Sequence, residues 1–261
     1  AKPWGVLVEY RSRDGVEPRF PLTLRTGPVF RALDEIIAKQ RRCPEADPAD
    51  SILSLLLSAN DEHGAPMSDH LIRMELVALL LAGYETTSGS VAWLLERLTR
   101  TPQVYDRLRE GIRGGDSDAD AYLDATIQEG MRLRPVLPML NRRIHQAFRF
   151  GEFLVPADSM VLINSVYLHH RPDLYPEPLA LRPERFLETP PGTYDWLPFG
   201  GGIRRCLGVS VAMPQQRIVL REILRRVDLR VHNDPDERSR LRVVTMVPTR
   251  GARLQLARVS A

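Results

Sequence analysis

Cysteine and lysine are both scarce in this chain of 261 residues. Two cysteines, Cys43 and Cys206, are too few and too isolated for a disulfide framework, which points to a reducing compartment. Only Lys2 and Lys39 among the 36 basic residues are lysines. Such an arginine bias reflects GC-rich coding more readily than a binding surface. The net charge is only +3 and the basic residues are scattered, which argues against nucleic acid as the main partner. No apolar run approaches the roughly 18 residues of a membrane span; the longest, "LVALLLAGY", stops after nine. A signal-peptide pattern is missing too, and because the first residue is Ala1 rather than Met, a preceding segment is expected.

What is there reads as a soluble globular protein, with 43% hydrophobic and 26% charged residues. Residues 1–29 are interrupted by Gly and Pro and form an unassigned leader. From Phe30 to Arg42 an apolar stripe of Phe30, Leu33, Ile36 and Ile37 predicts a helix. A short helix follows around "SILSLLLSA", and Ser68 or Asp69 can cap the next one. That next helix runs without proline from Asp69 to about Arg100, about 50 Å at 1.5 Å per residue, and reads as a central spine. Further helices are expected at "TPQVYDRLREGI", at "DAYLDATIQEGMRLR" before Pro135, and through "QQRIVLREILRRV". Strands are expected in "FRFGEFLVP" and "MVLINSVY". A proline-rich meander covers 171–198, and "RVVTMVPTRGARLQL" reads as a hairpin. The fold class is mainly α with small β sheets.

Four short stretches could carry chemistry. In "AGYETT" (Ala82 to Thr87) Gly83 costs the long helix about 1 kcal/mol relative to alanine. It would let a flat ligand lie against the helix. Glu85, Thr86 and Thr87 put polar groups where the spine should be most buried. Either the helix's polar side reaches solvent here, or a buried acid beside a hydroxyl can relay protons. In "EGMR", Glu129 and Arg132 share a helix face one turn apart, an arrangement that by itself contributes little. "PERF" places Arg185 in the meander. In "FGGGIRRCLG", three glycines and two arginines precede Cys206 just ahead of a helix. Adjacent arginines and a helix N-terminus both favour a thiolate, the form that binds metals. A glycine turn leading to a small buried residue is the alternative reading.

Taken in order, these four stretches resemble the cytochrome P-450 family over roughly residues 30–261, its C-terminal haem-binding part. "AGYETT" resembles the oxygen-activation motif, "EGMR" the Glu-x-x-Arg element, and "PERF" the meander motif. "FGGGIRRCLG" matches the haem-ligand signature at every defining position. The resemblance implies haem b (iron protoporphyrin IX), with Cys206 as proximal thiolate to the iron and Phe199, Gly202 and Gly208 shaping its loop. It implies propionate contacts from Arg204 and from Arg142, with Arg143 as the alternative. Ala82 and Gly83 would line the haem, and Glu85 and Thr86 would act in catalysis. Glu129, Arg132 and Arg185 would form a structural network. Beyond Cys206 the family commonly has Ala-x-x-Glu, whereas "AMPQ" sets Pro214 within the helix and Gln215 at the Glu position; a bend is expected there.

The implied reaction is that of a monooxygenase acting on a small apolar substrate. Electrons would come from a ferredoxin or flavodoxin with an NAD(P)H-dependent reductase. Aliphatic stretches at Leu76 to Ala82, Val136 to Leu140 and Thr245 to Val247 are expected to line the substrate pocket. A cytoplasmic bacterial protein, without a membrane anchor, is the expected setting. Family members carry well over a hundred further residues at the front, so two rival expectations stand beside the enzyme. One is a non-catalytic remnant; the other is a fragment that needs a complementing N-terminal segment.

Overall fold

The computed structural model describes residues 27–43, 51–60, 64–231 and 235–258. Most of the leader, residues 1–26, lies outside them. The chain divides into two compact units, Ala1–Tyr84 and Glu85–Ala261.

In the first unit, α1 (Gly27–Arg42) starts earlier than its apolar stripe and ends in Lys39, Arg41 and Arg42, cations suited to a helix C-terminus. Leu33 and Ile37 are buried, whereas Ile36 is about half exposed, so the buried stripe is narrower than its periodicity suggested. Phe30 lies under the Arg73 guanidinium at 5.0 Å, and Arg73 pairs with Asp34 at 2.8 Å. Ser51 caps α2 (Ile52–Ser58) by accepting from the Ser54 N–H. Ser68, rather than Asp69, caps α3 (Asp69–Thr99), its hydroxyl accepting from the Leu71 N–H at 3.2 Å. Helix α3 gives its first part to this unit and the rest to the second.

The long helix passes through "AGYETT" without a break. It is not buried along its length, however. Leu79, Leu80 and Leu81 are 43–57% exposed and Tyr84 is 80% exposed, whereas Trp93, Leu94 and Leu98 are fully buried. Glu85, Thr86 and Thr87 lie at the transition, half-buried.

The second unit is built on the rest of α3, α4 (Pro102–Gly114), α5 (Ala119–Leu133) and α8 (Val209–Arg226). Leu94, Leu98, Leu108, Leu123, Ile127, Leu220 and Leu224 form its core. Gly130 is required at the α3–α5 approach, because a Cβ there would lie 2.7 Å from Leu94 Cδ1. Proline 102 opens α4 and Gly115, at φ +72°, closes it. Helix α8 begins before the "QQRIV" segment and contains Pro214 without interruption.

Among the described residues, four two-stranded antiparallel sheets complete the unit. Strands β1 (Met139–Arg143) and β4 (Met160–Asn164) pair with Asn141 opposite Leu162. The expected strand at "MVLINSVY" stops at Asn164, because its side chain accepts from the Tyr167 N–H and starts α6 (Ser165–His169). Strands β2 (Phe148–Phe150) and β3 (Phe153–Val155) form a hairpin turning at Gly151, φ +59°. The hairpin expected within "RVVTMVPTRGARLQL" does not form: its first arm, β7 (Thr245–Pro248), pairs instead with the preceding β6 (Ser239–Arg242). The last strand, β8 (Leu254–Arg258), returns to β5 (Val227–Val231) behind α8. Helix α7 (Glu184–Glu188) sits in the meander and packs on α5.

Candidate functional site

The loop carrying Cys206 is closed by its own backbone. The Cys206 N–H donates to the Phe199 carbonyl at 2.9 Å, Gly200 N–H to Leu197 at 3.1 Å, and Arg205 N–H to Gly202 at 3.1 Å. Gly200 and Gly202 take φ of +69° and +66°, where a side chain would be strained. Residues Gly202–Arg204 form one turn of 3-10 helix. Phe199 anchors the start of the loop by packing on the core, with its ring 6.0 Å from that of Trp196.

Cys206 is exposed, not a small buried residue. Ile203 and Leu207 beside it are almost wholly exposed. A Cβ on Gly208 would stand 3.6 Å from the Cys206 sulfur, in ordinary van der Waals contact with it. Helix α8 starts at Val209, three residues after Cys206. Arg204 and Arg205 are both exposed.

Glu129, Arg132 and Arg185 come together behind this loop's supporting meander. Arg132 donates to both carboxylate oxygens of Glu129, at 2.7 and 2.9 Å, in the bidentate manner that suits guanidinium. Arg185 Nε and the Arg182 N–H each add a bond of 3.0 Å to Glu129 Oε1. The Arg132 Nη1 also donates to the carbonyls of His169 (2.6 Å) and Pro178 (2.9 Å). Both side chains of the central pair are fully buried, so these bonds replace all of their hydration.

Glu85 is engaged at a distance in sequence. Its carboxylate accepts from the Thr245 hydroxyl at 3.0 Å and lies 3.5 Å from Arg242 Nε. Thr86 is half-buried on the next step of α3, while Ala82 and Gly83 are exposed and a Cβ on Gly83 would meet open space. On β1 the two candidate arginines differ. Arg143 is held by Asp158 at 3.0 Å, whereas Arg142 donates only to the Asn141 carbonyl among the described residues. Arg142 therefore keeps charge available for another anion.

Gln216 and His169 are among the buried polar side chains that sequence reading missed. Gln216, not Gln215, is the buried amide of α8; it accepts from the Ser90 hydroxyl at 2.8 Å. His169 is fully buried, and its Nε2 accepts from the Leu197 N–H at 2.8 Å. Burial, followed by the nearby Arg132 and His170 charges, pushes the His169 pKa down to about 3. Its only signal in sequence is a histidine pair at the start of the meander.

A profile of the cytochrome P450 family matches residues 28–256. Cytochrome P450 135B1 of Mycobacterium tuberculosis is 40% identical over 223 residues, covering 84% of this chain and 47% of that protein. Cytochrome P450 137 of the same organism is 37% identical over 221 residues, covering 84% and 46%. The solved structure of retinoic acid-bound cyanobacterial CYP120A1 superposes with a TM-score of 0.78 at 25% identity, covering 89% of this chain and 56% of that one. The mostly helical fold with small sheets is that of these haem proteins. This chain belongs to the cytochrome P450 family. It spans about half the length of the curated relatives it matches.

The residues present fit the haem that the family implies. The exposed Cys206 thiol, flanked by the exposed apolar Ile203 and Leu207, would suit a sulfur-held iron carried by a flat, largely apolar group. Among the described residues no group of three or more His, Cys, Asp or Glu could hold a metal ion. No helix among them is long and apolar enough to cross a membrane.

Proposed function

We propose that this chain carries the haem b centre of a monooxygenase that oxidises a small apolar organic substrate. One oxygen atom of O2 enters the substrate and the other leaves as water, with two electrons from a redox partner and two protons closing the balance. The observation that carries this reading is the open Cys206 thiol on its backbone-closed loop. When bound, haem supplies the oxygen-activating redox chemistry. Cys206 holds it through sulfur, and Phe199, Gly202 and Gly208 keep the loop in shape. Arg204 and Arg142 balance its carboxylates. Glu85 and Thr86 act as a proton relay, the carboxylate passing a proton that the hydroxyl helps to orient. Glu129, Arg132 and Arg185 hold the fold. Gly83 is the place where a flat ligand can meet α3. The redox partner is a ferredoxin or flavodoxin with an NAD(P)H-dependent reductase, in a bacterial cytoplasm. An apolar substrate is favoured by the aliphatic stretches Val136 to Leu140 and Thr245 to Val247, and the similar CYP120A1 structure is one with retinoic acid bound.

The test is the ferrous–carbon monoxide spectrum of the haem-loaded chain. The red-shifted thiolate band is expected in the parent and in Cys43→Ala, and is expected to vanish in Cys206→Ala. Equal spectra for the two variants would overturn the assignment.

A second reading draws support from the exposed apolar run Leu79 to Leu81 and from Tyr84 on α3. Here residues 30–261 are the haem-binding part and turn over only with a complementing N-terminal segment. Haem retention and product per electron should then rise when such a segment is fused or added.

A further inference from the structure

We infer that His169 is a positioning residue, coupling the buried Glu129–Arg132–Arg185 network to the loop that carries Cys206. The inference rests on the reading of Cys206 as the thiolate ligand. His169 is bonded on both sides. Its carbonyl accepts from Arg132 Nη1 at 2.6 Å, and its Nε2 accepts from the Leu197 N–H at 2.8 Å. The Leu197 carbonyl in turn takes the Gly200 N–H at 3.1 Å, and Phe199, inside that turn, takes the Cys206 N–H at 2.9 Å. An unbroken run of short bonds and turns therefore leads from the guanidinium of Arg132 to the cysteine.

The chemistry explains why a histidine stands here. Leu197 N–H is buried and needs an acceptor, since an unpaired donor at that depth is costly. An aliphatic or phenyl side chain would fill the space and supply none. An imidazole accepting at Nε2 carries its proton on Nδ1, which has no partner among the described residues. The ring is thus held in one tautomer by the loop it supports. Tyr175 adds a parallel tie: its ring meets His169 edge-on at 6.5 Å, lies 4.9 Å from the Arg132 guanidinium, and its hydroxyl donates to the Asp195 carbonyl at 2.9 Å. Both ties reach the chain just before the cysteine loop.

Three substitutions separate positioning from packing. His169→Phe keeps a ring and deletes the acceptor. His169→Gln restores an oxygen near the Nε2 position, and His169→Asn is polar but too short to reach. Amide hydrogen exchange is read on the haem-free chain, and the ferrous–carbon monoxide spectrum on the haem-loaded chain. In His169→Phe, exchange at Leu197, Gly200 and Cys206 should rise about tenfold while amides of Val104 to Leu108 stay unchanged. The share of thiolate-type band should fall by about half or more, and His169→Gln should recover both. Unchanged exchange at the three loop amides, or an even rise across the unit, would overturn the inference. If His169→Phe does not fold, His169→Asn against His169→Gln decides, and equal behaviour of the two overturns it. Should the parent chain show no thiolate band, the reading of Cys206 fails, while the exchange result still decides the role of His169.

Discussion

Glu85 and Thr245, 160 positions apart, meet at 3.0 Å, with the threonine hydroxyl donating to the carboxylate. The same hydroxyl reaches the Arg242 carbonyl at 3.0 Å, and Arg242 Nε stands 3.5 Å from the acid. The turn between β6 and β7 therefore braces the acid of α3. Replacing Thr245 by valine keeps the shape and removes this bond. The expected loss is about 1 kcal/mol, since the half-exposed carboxylate can recover some hydration. Thr245→Ser should keep most of the stability. Urea unfolding of the three proteins checks this, and a valine variant as stable as the parent would show that the contact contributes nothing.

Glu129 has more at stake. Its removal leaves the fully buried Arg132 guanidinium without a counter-charge and frees Arg185 and the Arg182 N–H. Breaking such a pair costs about 3–5 kcal/mol, a large share of the roughly 5–15 kcal/mol that holds a domain together. Glu129→Ala should be insoluble, or soluble only as haem-free protein with a greatly lowered urea midpoint. A soluble, haem-retaining variant that has lost only turnover would move Glu129 from structure to chemistry.

His169 makes stability depend on pH. Its folded pKa of about 3 lies below the ordinary 6.5, because burial opposes the charged ring and Arg132 and His170 add to that opposition. Below pH 6.5 the unfolded chain binds a proton that the folded chain refuses, so stability falls with pH, from 6.5 down towards 3. The slope from this group approaches about 1.4 kcal/mol per pH unit. His170 is also lowered by burial and adds in the same direction. Comparing parent with His169→Gln between pH 6.5 and 5, where carboxylates still contribute little, isolates the effect. Parallel stability curves for the two proteins would refute it.

Val243 sits at the tip of the β6–β7 hairpin with φ +58°, in the left-handed region that β-branched residues avoid. Glycine relieves that strain and loses some chain entropy in exchange. Val243→Gly should be stabilising by about 0.5–1 kcal/mol, seen as a rise of about 2 °C in Tm. A lower Tm would mean that the valine side chain contributes packing that outweighs its backbone strain.

Where information is local, the sequence was readable. Helix spans followed from apolar spacing, proline and capping residues, as in α3 behind Ser68 and α5 ending before Pro135. The turn ahead of Cys206 was readable because consecutive glycines mark backbone that a side chain would strain, as the positive φ of Gly200 and Gly202 shows. Pairing that depends on distant chain was not readable. Nothing near "LQLAR" says that β8 returns to β5 instead of closing a hairpin with β7, because alternation fixes the face of a strand and not its neighbour. The strand before α6 was read too long, because an asparagine side chain competes for the backbone only once a turn is present to offer it an N–H.

By itself, then, the sequence determined most of the helices and the family, which rest on residues within one turn or one loop. Only the tertiary structure decided which polar groups lose water together. It joined Glu129 to Arg185 and Glu85 to Thr245, paired Arg143 with Asp158 while Arg142 meets no carboxylate among the described residues, and buried His169 against Leu197. The physical reason is desolvation. A polar side chain acquires its partner, its charge state and its cost when packing removes it from water, and packing is set by contacts between segments far apart in the chain.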